Sequence, residues 1–312
     1  FHRYSVDREW LVPHFEKMLY DNALLTQVYL DAYQATGHEF YARIVRETLD
    51  YVRREMLDET HGARQPFYST QDADSEGEEG KFFVWTPSQL EDVLGAEDAA
   101  LAARYWGISD DGNFEGGRSI PNRLHALAQK GRESAFQPLA DDIDRLRREL
   151  FEAREGREHP GTDTKIIACW NGMMIAAMAR AGFVLDDDVY VESARRAADF
   201  VLTEMVDGEL SGDFELMRTH KDGRARFPAY LDDYAHMARG LVELFESTGD
   251  LQRLSEARAI VDKMIELFWD DTTGDGAFFY TAEHHRELIV RQKDSMDSAT
   301  PAANAIAISV LL

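Results

Sequence analysis

Tyr230-Leu231-Asp232-Asp233-Tyr234, with Thr248-Gly249-Asp250 placed 15 to 17 residues after Asp233, decides the fold because its layout returns elsewhere in the chain. Met18-Leu19-Tyr20-Asp21-Asn22 is followed at the same distance by Thr36-Gly37-His38, and Trp170-Asn171-Gly172 has Asp188 17 residues beyond Asn171. A further acid, Asp58, Asp207 or Asp270, lies 37, 36 and 37 residues after Asp21, Asn171 and Asp233 respectively. Fixed spacing of this kind marks stacked supersecondary units.

Each unit reads as a helical hairpin. Between landmark and turn the apolar residues recur at helical spacing, as in Leu241, Leu244 and Phe245, and the turn carries Gly where a helix should stop. Ile166 to Ala181, IIACWNGMMIAAMARA, is apolar nearly all round, whereas Val191 to Val206 carries Glu and Arg on one face. The first kind predicts inner helices buried in a ring. The second predicts outer helices that face water.

Asp233 follows Asn171 by 62 residues and Asp297 follows Asp233 by 64, while Asn171 follows Asp21 by 150. The long gap has room for two units and an insertion, with Glu97 to Trp106 as a shorter inner helix and Leu139 to Arg154 as an outer one. The predicted fold class is all-α: an incomplete (α/α)6 toroid with short β-hairpins on one rim, a single domain over residues 1–312. Phe1 is not an initiator Met and no helix stop precedes Leu312, so a fragment truncated at both ends is the expectation.

Phe67 to Thr70 and Lys81 to Trp85 predict strands flanking the acidic loop Gln71 to Gly80. Further insertions run from Glu209 to Phe227 and from Gly276 to Val290. Each follows an outer helix and precedes an inner one, so all three should project from the end where Asp21, Asn171 and Asp233 open inner helices. One rim would then collect acids, amides and aromatics.

At 312 residues and 44% hydrophobic, the chain has ample material for one core. With 58 acidic against 34 basic residues its net charge is −24, which repels polyanions and excludes nucleic acid and anionic membranes as partners. No apolar run of 18 or more residues and no signal peptide is read, and a cytoplasmic location is expected. Cys169 is the only cysteine, which leaves no disulfide framework and no Cys-based zinc site; its plain use is as a small buried hydrophobe. No metal and no cofactor is expected.

Phe1-His2-Arg3-Tyr4-Ser5-Val6-Asp7, Pro13 to Asp21, Asp72 to Lys81, Gly112-Asn113-Phe114-Glu115-Gly116, Trp170-Asn171-Gly172, Asp232-Asp233-Tyr234-Ala235 and Ala299-Thr300-Pro301 together resemble the spermatogenesis-associated protein 20 or YyaL family. The resemblance runs from the first residue to Thr300. It implies a thioredoxin-like domain followed by a six-hairpin toroid similar to sugar 2-epimerases and six-hairpin glycosidases, with the thioredoxin-like domain and the first hairpin missing from this chain. Departures from the family pattern at Asp163-Thr164-Lys165, Cys169, His236 and Asp297 to Asn304 weaken any role for Cys169 or His236 and leave the acidic landmarks intact. The family carries no settled reaction to transfer.

Glycoside hydrolysis takes two carboxylates about 5 to 9.5 Å apart, one protonated and one ionised. Asp21, Asp72, Asp74, Glu76 and Asp233 are the catalytic candidates. The ligand-binding candidates are His2, Tyr4, His14, Glu16, Trp170, Asn171, Asp232, Tyr234, Arg291 and Thr300. Epimerisation needs a base on each face of the reacting carbon; His2 and His14 lie near the first landmark, and no opposing His is evident. The expected function is hydrolysis or other processing of a sugar or sugar derivative by rim carboxylates. The alternative is a non-catalytic module that binds a ligand or protein for the thioredoxin-like domain. The same residues also have plain uses. Asp21, Asp232 or Asp233 would cap a helix, a role that contributes about 0.5 to 2 kcal/mol. The loop Asp72 to Glu79 would be a solvated turn, and Trp85, Trp106 and Trp170 would fill the core.

Overall fold

The computed structural model describes residues 1–124, 139–272, 276–285 and 289–312. In chain order the helices are α1 (Leu19–Thr36), α2 (Glu39–Glu55), α3 (Pro87–Leu94), α4 (Ala96–Trp106), α5 (Ala140–Glu155), α6 (Ala168–Leu185), α7 (Asp188–Glu204), α8 (Leu231–Thr248), α9 (Leu251–Phe268) and α10 (Ala303–Leu311). The described residues group into two compact units. One comprises Phe1, Met18–Thr70 and Thr162–Leu312; the other comprises His2–Lys17 and Gln71–Gly161.

The first unit is a series of helical hairpins, α1/α2, α6/α7 and α8/α9, whose first members α1, α6 and α8 pack side by side, with α10 against α8. These are the inner helices. Apart from Trp170, Arg180, Phe183 and Val184, every side chain of α6 is buried. By length and composition α6 would span a membrane, but 72% of it is buried inside the protein. Helices α6 and α8 cross on glycine: a Cβ on Gly172 would lie 2.6 Å from the backbone of His236, and one on Gly240 would lie 2.8 Å from the Gly172 carbonyl. Outer helix α2 has the opposite texture, with Ala42, Val45, Leu49 and Val52 buried and its charged residues outward.

The turns within the hairpins explain the repeated landmark. Gly37 and Gly249 take the left-handed conformation after α1 and α8. Thr36 and Thr248 hydroxyls donate back to Ala32 and Leu244 and accept the next cap's N–H at 3.2 Å. His38 and Asp250 then cap α2 and α9. In the middle hairpin Asp186 occupies the left-handed position (φ 55°) and Asp187, not Asp188, is the cap. The sequence alignment of that copy was therefore one residue out. Trp170 is the counterpart of Asp21 and Asp233, each third in its helix, and Asn171 pairs with Asn22 and Tyr234. Counted from Trp170, Asp187 and Asp207 fall at the same 17 and 37 residues as in the other copies.

Between α7 and α8 the predicted insertion is a sheet built on β5 (Phe214–Lys221). On it pair β3 (Ile166–Ile167), β4 (Val206–Gly208) and β6 (Arg224–Pro228), all antiparallel, with Ile167 opposite Thr219, Asp207 opposite Glu215 and Thr219 opposite Arg226. The predicted hairpin of Phe67 to Thr70 with Lys81 to Trp85 does not form. Phe67 pairs with Leu57, and Trp85 pairs with Ser119. The acidic loop instead folds on itself in the second unit, where β1 (Asp74–Ser75) pairs with β2 (Glu78–Glu79). Glu76 and Gly77, at φ 52° and 75°, make its two-residue turn. Aromatic composition suggested a strand at Lys81 to Trp85, yet Arg157 lies over Trp85 and ties down the Phe82 and Val84 carbonyls at 2.8 Å, leaving them no strand partner. Of the third insertion, Gly276 to Val290, residues 286–288 lie outside the described residues; Phe278 pairs with Trp269.

Helices α3, α4 and α5 belong to the second unit and pack on one another through Trp85, Leu90, Ala102, Ile143 and Leu146. Trp85 is thus core. Trp106 packs edge-on to Tyr105.

Candidate functional site

The first turn of α8 carries Asp232 and Asp233, and both bond to one guanidinium. Arg218, on β5, donates to Asp232 at 2.9 Å and to Asp233 at 2.6 Å. Asp233 is fully buried and all its bonds are internal: Oδ1 accepts the Cys169 N–H at 3.0 Å, and Oδ2 accepts the Tyr230 N–H at 2.9 Å as well as Arg218. Asp232 keeps 18% of its side-chain exposure. It receives the Asp233 N–H at 3.1 Å, and its charge acts on the Tyr280 hydroxyl and the Cys169 thiol. Four elements therefore meet here, namely the first turns of α6 and α8, strand β5, and the connection after α9.

Burial, reinforced by the neighbouring charge of Asp232, pushes the Asp233 carboxyl up to about 7 despite Arg218 and the two backbone donors. For Arg218, burial works against the charge, but Asp233 and Asp232 outweigh it and raise its pKa. Burial first, and the Asp232 charge second, raise the Cys169 thiol and the Tyr280 phenol. The Cys169 sulfur and the two carboxylates offer ligand atoms within 4.8 Å of one another. Asp233 has already committed both oxygens and the thiol is held protonated, so the cation of this cluster is Arg218.

One turn along α8, His236 is 2% exposed and its Nε2 has no partner. Burial lowers its pKa to about 4, so the ring is neutral. Residues four apart on a helix share a face, and the Asp232 charge acts on this ring. Tyr230 and Tyr280 stand beside the cluster, half-buried, with ring centroids 5.3 Å apart, and Arg218 lies 4.7 Å over Tyr230.

The remaining predicted residues of the first unit divide by role. Trp170 is half-buried and edge-on to Tyr20 of α1 at 4.9 Å; Asp21 is half-buried. Asn171 is buried, with its amide bonded to the backbone of Phe67 and Ile167. The Tyr234 hydroxyl accepts the Leu216 N–H at 2.8 Å. Arg291 donates to the Thr281 carbonyl and lies over Phe279, and Thr300 is half-buried.

In the second unit His2, Tyr4, His14 and Glu16 come together. His14 bridges Glu16 and Glu79 at 3.3 and 3.0 Å, Tyr4 tilts against the His14 ring, and Arg3 bonds Glu16 at 3.1 Å. His2 is wedged between Phe15 and Phe83 with its Nδ1 at the Phe15 carbonyl; burial lowers its pKa to about 3. Asp72, Asp74 and Glu76 are exposed, Asp72 accepts the Asp74 N–H, and Lys81 holds both Glu76 and Glu78.

Sequence reasoning missed Arg218, Tyr230 and Tyr280 and discounted His236. Arg218 had no motif to announce it. Its only sequence signal was a basic residue inside an insertion that ends five residues before Asp232.

No protein-family model matches the chain. Human spermatogenesis-associated protein 20 is 35% identical over 346 aligned positions, covering all of this chain and 43% of that protein. The mouse protein is 34% identical with the same coverage, and an uncharacterised Caenorhabditis elegans protein is 28% identical, with 46% of its length covered. The chain thus spans less than half the length of these relatives. Among solved structures, cellobiose 2-epimerase from Bacillus thermoamylovorans has a TM-score of 0.56 at 10% identity, over 94% of this chain and 55% of that one. Unsaturated glucuronyl hydrolase from Bacillus sp. GL1 has a TM-score of 0.52 at 14% identity, over 95% and 58%. Identity that low speaks to fold alone, and the shared fold is the (α/α) toroid. By sequence over its entire length, the chain belongs to the family of spermatogenesis-associated protein 20.

Proposed function

We propose that this protein binds and processes a sugar or sugar derivative at the N-terminal ends of its inner helices, with Asp232 as the carboxylate that meets the ligand. The observation that carries this reading is the pairing of Asp232 and Asp233 on a single guanidinium. Two adjacent carboxyls sharing one cation, with Asp233 raised toward neutrality by burial, form a group that takes up and releases a proton near neutral pH. Asp233 is sealed and serves as the internal partner; Asp232, partly exposed among tyrosines, is the outward one. Trp170, half-buried and backed edge-on by the buried Tyr20, supplies an aromatic face on the neighbouring inner helix. The fold shared with a cellobiose epimerase and a glucuronyl hydrolase supports the choice of a carbohydrate.

A second reading is a binding module without chemistry, serving the remainder of a longer protein, a thioredoxin-like domain included. It is favoured by the number of acids already committed to bases: Glu16 to Arg3, Glu76 and Glu78 to Lys81, Asp163 to Lys165 and Lys221, and Asp270 to Lys293. A panel of mono- and oligosaccharides, followed by thermal shift and by product analysis, separates the two. Sugar-dependent stabilisation with product that disappears in Asp232→Asn supports the enzyme. Stabilisation without product supports the module, and no response to any sugar rejects the carbohydrate enzyme in favour of a module that serves the longer protein.

A further inference from the structure

Among the described residues, three bases near the α8 cluster are engaged. Arg218 is shared by Asp232 and Asp233, Lys293 is held by Asp270 at 2.6 Å, and Arg291 spends Nε and Nη2 on the Thr281 and Leu267 carbonyls. An incoming carboxylate would find no unengaged cation among these three. It would also meet Asp232 at close range, on a protein of net charge −24.

What the site does offer is acceptor capacity and ring faces. Two carboxylates face one guanidinium, so the cluster retains a net negative charge when both are ionised. The His236 Nε2 is buried without a partner one turn along α8 from Asp232, and a neutral imidazole supplies an acceptor. Tyr230 and Tyr280 present half-buried rings next to these groups, and cations already rest on rings here: Arg218 over Tyr230 at 4.7 Å, Arg291 over Phe279 at 4.1 Å and Lys293 over Phe279 at 5.1 Å. The positive end of the α8 dipole, which would favour an anion, is answered by Asp232 and Asp233 in its first turn.

We infer that the sugar taken at this site carries a protonated amine in place of a carboxylate, with the ammonium seated against Asp232 and the tyrosine rings. This rests on the carbohydrate reading above and narrows it. An ammonium adds donors to a partly exposed carboxylate, and its charge balances the second carboxylate when Asp233 is ionised. A neutral sugar supplies hydroxyl donors without the charge.

The test is saturation-transfer NMR and calorimetry with four probes at matched ionic strength: glucosamine, glucose, glucuronate and ethanolamine. The expected result is that glucosamine binds about tenfold tighter than glucose, the gain typical of one additional charge-assisted bond, with glucuronate weakest. Asp232→Asn, which keeps the shape and removes the charge, should reduce that ratio to near unity; circular dichroism confirms that the variant is folded. Glucose or glucuronate binding as tightly as glucosamine overturns the amine preference and leaves the carbohydrate reading standing. Ethanolamine binding as tightly as glucosamine, with glucose silent, upholds the amine seat and removes the sugar. Silence from all four probes overturns both. His236→Phe provides a second check, since it should weaken glucosamine more than glucose; equal loss on both sugars counts against the amine.

Discussion

Asn171 grips Phe67 by both groups of its backbone: Oδ1 accepts the Phe67 N–H at 2.9 Å and Nδ2 donates to its carbonyl at 3.0 Å. Asn304 does the same to Phe278 at 2.8 and 2.9 Å. Asn22 holds Phe1 through its amino group at 2.6 Å and its carbonyl at 3.4 Å. In each case an amide in the first turn or so of an inner helix pins an extended segment beside it. On α8 the Tyr234 hydroxyl takes that place, accepting the Leu216 N–H. The device recurs through the first unit and ties its connections to its inner helices.

Asn171→Ala should therefore act on stability. It leaves the N–H and carbonyl of the buried Phe67 without partners, and a loss of about 2 to 4 kcal/mol follows from two buried polar groups unsatisfied. Urea unfolding measures it. A neutral change in stability, with lost sugar response, would instead assign Asn171 to ligand.

How much of this was legible in the sequence depends on what each residue answers to. Hairpins and inner helices were legible because burial imposes a period, as on α6, and because Thr36-Gly37 and Thr248-Gly249 carry local turn chemistry. The one-residue slip at Asn171 arose from matching polar side chains, while the backbone equivalent of Asp21 is Trp170. Side-chain identity is free to vary at a ring face, whereas cap geometry is not. Arg218 and Tyr280 could not be placed from spacing, since a strand and a connection deliver them to Asp232 through the tertiary fold. Asp72, Asp74 and Glu76 were clear as an acidic turn; the bases that hold such a turn, like Lys81, were not.

Gly172→Ala tests the crossing of α6 and α8. The new methyl would lie 2.6 Å from the His236 backbone, which cannot rotate aside, so the helices must separate. Overpacking of this kind costs about 1 to 3 kcal/mol. Because the shift is transmitted to the first turns of both helices, the sugar response should fall together with the melting temperature. A stable, fully responsive variant would show that the helices part without disturbing the site.

Acid should loosen the first unit through His236. Its pKa is lowered to about 4 in the fold against an ordinary value of 6.5, because burial disfavours the charge. Between those values the unfolded chain binds a proton that the folded chain refuses, so stability is present above pH 6.5 and is lost as pH falls toward 4. The full effect is about 3 kcal/mol. Chemical denaturation at pH 7, 6, 5 and 4 should show the decline, and His236→Phe should flatten it. An unchanged slope in that variant would place the acid sensitivity elsewhere, with His2 as the next candidate.

Asp233 should oppose His236 in sign, and its substitution by Asn should be costly, which a simple helix cap would not predict. An ordinary cap accepts through one oxygen, so Asn serves as well as Asp. Here both oxygens accept, from Cys169 on one side and from Tyr230 and Arg218 on the other. Asn must turn its NH₂ toward at least one of these donors and it leaves Arg218 with Asp232 alone, so Asp233→Asn should lose roughly 2 to 4 kcal/mol. The pH profile supplies the second readout. With a folded pKa of about 7 against 3.8 unfolded, the folded chain holds a proton through that window which the unfolded chain has released. The stability contributed by this proton is full below pH 3.8 and is lost as pH rises through 7. Asp233→Asn removes that declining limb, so the variant's stability should depend on pH mainly through the histidines and rise from pH 4 toward 7. Ligand response separates structure from chemistry: a sealed partner that sets the proton affinity of Asp232 should, when replaced, shift the pH optimum of sugar binding or turnover while the folded fraction still binds. If denaturation shows Asp233→Asn equal to wild type at every pH, the Asp233 carboxyl is not raised by its burial beside Asp232, and the proposal that Asp232 and Asp233 act as a proton-sharing pair fails with it.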